Sequence, residues 1–181
     1  MAPVIHFNTA FKYMNKESIE LWIKLNKRKL IGSTIFSRND SMVSKLVQWA
    51  EKLRDESGDF VPSHVGGIVE YEKQLYVIDM IPPKCKSTLL VDYLMKSTSE
   101  YAVVLRNFRL NGKMFSNNII EYNGTWYPFM SAIRSVFSKR DSKFSRHCSE
   151  LIFREYQKQG LFKNISPEIT PLELWNLLKN R

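Results

Sequence analysis

Ser63-His64-Val65-Gly66-Gly67-Ile68-Val69-Glu70-Tyr71, then Glu72-Lys73, then Gln74-Leu75-Tyr76-Val77-Ile78-Asp79-Met80-Ile81 is the stretch that decides the fold. Both flanks are rich in Val, Ile and Tyr, and two polar residues separate them, so an antiparallel hairpin with Glu72-Lys73 as its turn is expected. If Tyr71 pairs with Gln74, Gly66 faces Asp79 and His64 faces Ile81. Asp79 then shares a sheet face with His64 at the diagonal position, about 7–8 Å away and within side-chain reach. A slip of one residue would move it to the opposite face, and the Gly66-Gly67 pair is a place where a bulge could cause that slip. Glu70 is the competing carboxylate on the His64 face, near the turn and expected to be solvated.

Working outward, Glu17 to Lys29 reads as a helix capped by Asn15 or Ser18, and Leu30 to Phe36 as a short strand. Ser41 to Arg54 carries Met42, Val43, Leu46, Val47, Trp49, Ala50 and Leu53 at helical spacing. Asp55 to Pro62 reads as a polar loop, and Pro82-Pro83 ends the hairpin. Cys85 then falls in a loop, Ser87 to Lys96 reads as a helix, and Glu100 to Arg106 as extended chain. Phe108 to Phe115 fits neither period, because Gly112 and its polar neighbours break both. Tyr127 to Phe137 returns to helical spacing. A basic loop, Lys139 to Arg146, precedes a helix opened by Cys148-Ser149-Glu150-Leu151-Ile152 and stopped by Gly160. Thr170-Pro171-Leu172-Glu173 is a capping box with proline at the first helical position.

Cys148 and His64 are the residues with chemistry to offer. Placed at a helix start, a thiol sits among unpaired backbone N–H groups and the positive end of the macrodipole, which favour the thiolate and can hold an oxyanion. An imidazole that reaches the sulfur, itself oriented by a third polar group, completes the logic of a cysteine hydrolase. Taken singly, a cysteine is more often a small buried hydrophobe and a histidine a hydrogen-bonded core or surface residue. His147 directly precedes Cys148 and should point away from it; His6 has no motif around it. Three histidines and two cysteines offer no close ligand pair beyond His147-Cys148, so neither a metal nor another cofactor is expected.

With 181 residues and 44% hydrophobic content, the chain suits one domain with one good core. No apolar run follows a basic start and no segment has membrane-spanning length, which points to a cytoplasmic protein with reduced thiols. The formal charge of +9 implies attraction to an anionic partner such as an acidic glycan, a lipid surface or nucleic acid, without choosing among them. The basic stretches Lys24 to Lys29 and Lys139 to Arg146 lack the interleaved aromatics of a single-strand nucleic-acid binder.

Ser63-His64-Val65-Gly66, Val77-Ile78-Asp79, Cys148-Ser149-Glu150-Leu151, Gly160, Ser166-Pro167 and Thr170-Pro171 together resemble the circularly permuted NlpC-type papain-like superfamily. More narrowly they are similar to its YiiX-like branch, related to the lecithin:retinol acyltransferase group. The resemblance covers residues 30–181 as the core and leaves residues 1–29 as a helical lead-in. It implies an α+β fold, an antiparallel sheet or partial barrel packed against helices. It also implies Cys148 as nucleophile, His64 as base and Asp79 as the residue orienting His64. The chain departs from the family pattern in having two glycines after His64-Val65, Asp at position 79 where Glu is frequent, and His147 where an aromatic is common. The expected activity is hydrolysis of an amide, ester or thioester, or transfer of its acyl group, on a peptide or lipid acyl substrate. The alternative is a non-catalytic basic binding or structural protein on the same scaffold, contacting nucleic acid, envelope or virion components. Lipid processing at a membrane surface would need an exposed apolar patch beside Cys148, for which Phe144, Phe153 and Leu161 are candidates.

Overall fold

In the computed structural model, the described residues are 3–7, 14–39, 45, 48–49, 60–81, 84–96, 99–106, 109–125 and 143–180. Among them, six strands form one antiparallel sheet: β1 (Val4–Phe7), β2 (Thr34–Asn39), β3 (His64–Tyr71), β4 (Gln74–Ile81), β5 (Lys84–Leu89) and β6 (Ser99–Val104). Their spatial order is β1-β6-β2-β3-β4-β5. Five helices accompany the sheet: α1 (Lys16–Leu30), α2 (Leu90–Leu94), α3 (Gly112–Ile120), α4 (Lys143–Lys158) and α5 (Pro171–Lys179). None is long and apolar enough to cross a membrane. The fold is therefore α+β with an antiparallel sheet.

The hairpin has the expected register, with Tyr71 opposite Gln74 and Gly66 opposite Asp79, and no bulge interrupts it. Its turn residues Glu72 and Lys73 take positive φ of 48° and 64°. A two-residue connection needs that left-handed geometry to match the right-handed strand twist, even though neither residue is glycine. Alternation then sends Val65, Gly67 and Val69 to one face and His64, Gly66 and Ile68 to the other.

Both faces are covered. Val65, Val69 and Ile78 pack with Phe115 of α3, Ile152 and Phe153 of α4 and Leu174 and Trp175 of α5. Ile68, Leu75 and Val77 pack on the other side with Ile19 and Leu30 of α1 and with Leu90, Tyr93 and Leu94 of α2. Gly67 allows the close approach of α4: a Cβ there would stand 2.9 Å from Ile152 Cδ1 and 3.0 Å from Phe115 Cε1. A side chain at 67 would force the Ile152 and Phe115 side chains to shift.

Local signals hold where they are strongest. Asn15 caps α1 by accepting from the Ser18 amide. Thr170 and Glu173 complete the capping box of α5. Gly160 follows α4 with φ +85°.

Four expectations are corrected. Leu30 closes α1 rather than opening a strand, and the strand runs from Thr34. Residues 84–89 continue the sheet as β5 instead of forming a loop and a helix start; the β4 edge offers its hydrogen-bonding groups, and pairing there outweighs helix propensity, so only Leu90–Leu94 is helical. Gly112–Ile120 is a helix, with Gly112 at its first residue because a Cβ there would meet the Ile31 carbonyl oxygen at 2.5 Å. Residues 1–29 are more than a helical lead-in, since β1 pairs with β6 at the sheet's edge. The helix expected over Ser41 to Arg54 falls largely outside the described residues, with Lys45, Gln48 and Trp49 helical. The expected Tyr127–Phe137 helix and most of the loop at 55–62 also lie outside them.

Candidate active site

His64 is the first residue of β3, placed beside Ser37 of β2 by the sheet register. Asp79 sits on β4 opposite Gly66, diagonal to His64 and on the same face. Gly66 keeps that diagonal open, because a Cβ there would lie 3.2 Å from the Asp79 Cβ and 2.7 Å from Val77 Cγ1. Across the gap, His64 Nε2 and Asp79 Oδ2 are 3.2 Å apart. With Nε2 turned to the carboxylate, Nδ1 is left for the sulfur. Glu70, six residues along the same strand, is ion-paired with Lys27 at 2.6 Å and takes no part at His64.

Cys148 reaches the same imidazole from α4, which packs on the other face of the sheet. At the end of β3 the ring stands where both faces can be touched, and it interacts with the Cys148 sulfur by hydrogen bond and by charge. The sheet and α4 thus bring together the three residues singled out from the sequence. Asp79 is fully buried, Cys148 is 4% exposed, and the His64 side chain, at 19%, is the part of the trio that meets solvent.

The electrostatics follow from this packing. Burial opposes charge on the His64 ring. The Cys148 thiolate, hydrogen bonds to Asp79 and Cys148, and the Asp79 carboxylate outweigh it, and the imidazole rises from 6.5 to about 10. The arrangement therefore favours a proton on His64 when the sulfur is a thiolate.

The position of Cys148 within its helix needs correction. α4 begins at Lys143, five residues earlier, and Lys143 to Arg146 are helical rather than part of a basic loop. Cys148 lies in the second turn, where its amide is committed to the helix and the macrodipole has faded. A helix start at Cys148 therefore supplies neither free backbone donors nor the macrodipole, and His64 is the charged partner left beside the sulfur. Sequence reading put the boundary at Cys148 because Lys143-Phe144-Ser145-Arg146 carries no decisive helix signal of its own.

Cys85 is also not where the sequence suggested. It is a buried strand residue of β5, beside Met80 of β4, and burial followed by the nearby Asp79 carboxylate pushes its thiol up to about 12, against the lowering effect of a hydrogen bond from the Lys86 backbone. No apolar patch forms from Phe153 and Leu161, since both are buried in the core, and the side chain of Phe144 lies outside the described part. Among the described residues, no cluster of three His, Cys, Asp or Glu side chains is placed to hold a metal ion.

Tyr93 of α2 is a residue the sequence reading passed over. Its buried hydroxyl interacts with both Ser37 and Asp79, and burial first, then the Asp79 carboxylate, drives its pKa well above 10. The short helix after β5 brings this tyrosine over the sheet, and nothing in the local pattern marks it.

No protein-family model matches the chain, and no curated protein matches its sequence.

Proposed function

We propose that this chain is a cysteine-dependent hydrolase or acyltransferase of the permuted papain-like kind. The observation that carries the reading is one imidazole in contact with both a buried carboxylate and a cysteine sulfur. Three residue types that serve nucleophilic catalysis meet at one point from three separate elements, which isolated buried histidines and cysteines have no reason to do.

In this reaction the Cys148 sulfur attacks the carbonyl carbon of an amide, ester or thioester, while its proton resides on His64. His64 then protonates the leaving amine, alcohol or thiol as the acyl bond breaks, and a thioester to Cys148 remains. A water molecule or another acceptor gives its proton to His64 and attacks that thioester, which returns the thiol and releases the acid or the transferred acyl product. Asp79 keeps Nε2 engaged throughout, so that Nδ1 faces the sulfur. The expected substrates of this chemistry are peptide or lipid acyl groups, and the +9 charge of the chain suits substrates on anionic carriers.

The test is capture of the acyl-enzyme. The native chain is incubated with a panel of N-acyl peptide amides, aryl esters and acyl thioesters, and the intact mass is read with site assignment. An acyl adduct on Cys148, absent in Cys148→Ala and formed far more slowly in His64→Ala, is the expected result. If no substrate acylates Cys148 and the thiol is indifferent to loss of His64, the catalytic reading is overturned. Salt-sensitive binding to an anionic partner that survives Cys148→Ala would then point to the basic scaffold.

A further inference from the structure

Asp79 uses only one of its two oxygens on His64. Oδ2 meets the imidazole, whereas Oδ1 is buried without a hydrogen-bond partner meeting normal geometry. A buried carboxylate oxygen left bare is costly, and a donor or a water must complete it. On this face the exposed Lys86 of β5 lies opposite Asp79 in register, and the buried polar groups around the carboxylate come from three other elements. Ser37 of β2 stands beside His64 in register, and Tyr101 of β6 stands beside Ser37 on its other side. Tyr101 cannot supply the donor, because its hydroxyl donates to the Tyr93 carbonyl at 2.7 Å. That bond and the ring contact, with centroids 5.3 Å apart, hold Tyr93 over the sheet. The Tyr93 hydroxyl is the group that interacts with both Ser37 and Asp79. All of Ser37, Asp79, Tyr93 and Tyr101 are buried.

We infer that Tyr93 is a positioning residue: its phenol donates to the free oxygen of Asp79, directly or through one buried water, and so holds the carboxylate in the orientation that keeps His64 Nε2 engaged and Nδ1 turned to Cys148. This rests on the hydrolase reading for its purpose, but the contact itself does not depend on it. Tyr93 touches neither the sulfur nor a substrate; it acts through Asp79. Because it can give a single hydrogen to a charged acceptor buried from water, the bond belongs to the strong class. α2 thereby becomes part of the site, although it has only five residues and lies on the face opposite α4.

The experiment measures carbamidomethylation of Cys148 by iodoacetamide as a function of pH in the full chain. The variants are Tyr93→Phe, Asp79→Asn and the double substitution. Removing the phenol hydroxyl should slow Cys148 by about tenfold at pH 6–7, the low end for a hydrogen bond to a charged group. The double variant should be no slower than Asp79→Asn, because Tyr93 acts through the carboxylate. A Tyr93→Phe profile equal to that of the parent chain overturns the inference. So do losses that multiply in the double variant.

A second readout separates this inference from the hydrolase reading. In Cys148→Ala, the 15N shifts of neutral His64 report which ring nitrogen holds the proton. They should show the Nε2–H form, and adding Tyr93→Phe should shift them toward a mixture of tautomers. An unchanged tautomer overturns the role of Tyr93 whatever Cys148 does. If Cys148 of the parent chain instead proves indifferent to His64→Ala while the tautomer shifts with Tyr93→Phe, the hydrolase reading fails and the role of Tyr93 stands.

Discussion

Cys85 and Cys148 are the two cysteines of the chain, both are buried, and both belong to the same apolar cluster, yet their surroundings are electrically opposite. Cys148 meets an imidazole whose proton is held by a carboxylate on its far side. Cys85 feels the charge of that carboxylate with no imidazole to answer it, and burial together with Asp79 pushes its thiol up to about 12. Asp79 thus opposes ionisation of Cys85 directly, whereas toward Cys148 it holds the imidazole that stands between them. Burial alone does not make a cysteine inert or reactive; the sign of the nearest group decides.

The comparison can be broken in several ways. The largest expected effect is the contrast itself. At pH 7, iodoacetamide should modify Cys148 more than about a thousandfold faster than Cys85, because only the thiolate reacts and a thiol near 12 is almost entirely protonated. Site-resolved mass spectrometry of the native chain reads both rates at once. Comparable rates would remove the distinction.

Next in size, His64→Ala should lower the rate at Cys148 by about a hundredfold at pH 6, since the position of Cys148 within α4 leaves His64 as the source of thiolate stabilisation. Cys85 should not change. An unaffected Cys148 would mean that the imidazole contact has no electrostatic consequence.

Asp79→Asn sharpens the comparison most finely, because it should move the two cysteines in opposite directions. Cys148 slows by about tenfold as His64 loses its carboxylate partner. Cys85 quickens slightly, since burial remains as the main reason for its raised pKa and only the smaller contribution of Asp79 is removed. Two rates that fall together would show that the substitution disturbed packing instead of charge.

The smallest effect is on stability. His64 has a folded pKa of about 10 against 6.5 for the ordinary imidazole, so the folded chain binds this proton more tightly than the unfolded chain. Its contribution is complete below about pH 6.5 and is lost as pH rises through about 10. Urea midpoints of the parent chain should therefore fall more than those of His64→Gln between pH 6.5 and 10. Cys148→Ala should narrow that difference, because the sulfur supplies the largest of the contributions that raise the imidazole. Midpoints that track each other across the whole range would contradict the assigned sign.

The sequence by itself determined much of the site's geometry on the sheet. Strand alternation and a two-residue turn are local rules, and together they set the register that puts Asp79 diagonal to His64. The caps at Asn15 and Thr170 and the stop at Gly160 were legible for the same reason, being backbone requirements met within a few residues. Tertiary structure decided the rest. An open β4 edge turned residues 84–89 into a strand and made Cys85 a core residue. Packing of α3 against the chain around Ile31 accommodated Gly112 at a helix start. Extension of α4 back to Lys143 moved Cys148 from the helix terminus into its second turn. That Cys148 and His64 touch at all, and that Tyr93 stands behind Asp79, depended on elements from distant parts of the chain closing over opposite faces of the sheet. Local periodicity fixes which face a residue points to, but only burial of those faces against one another decides which residues meet.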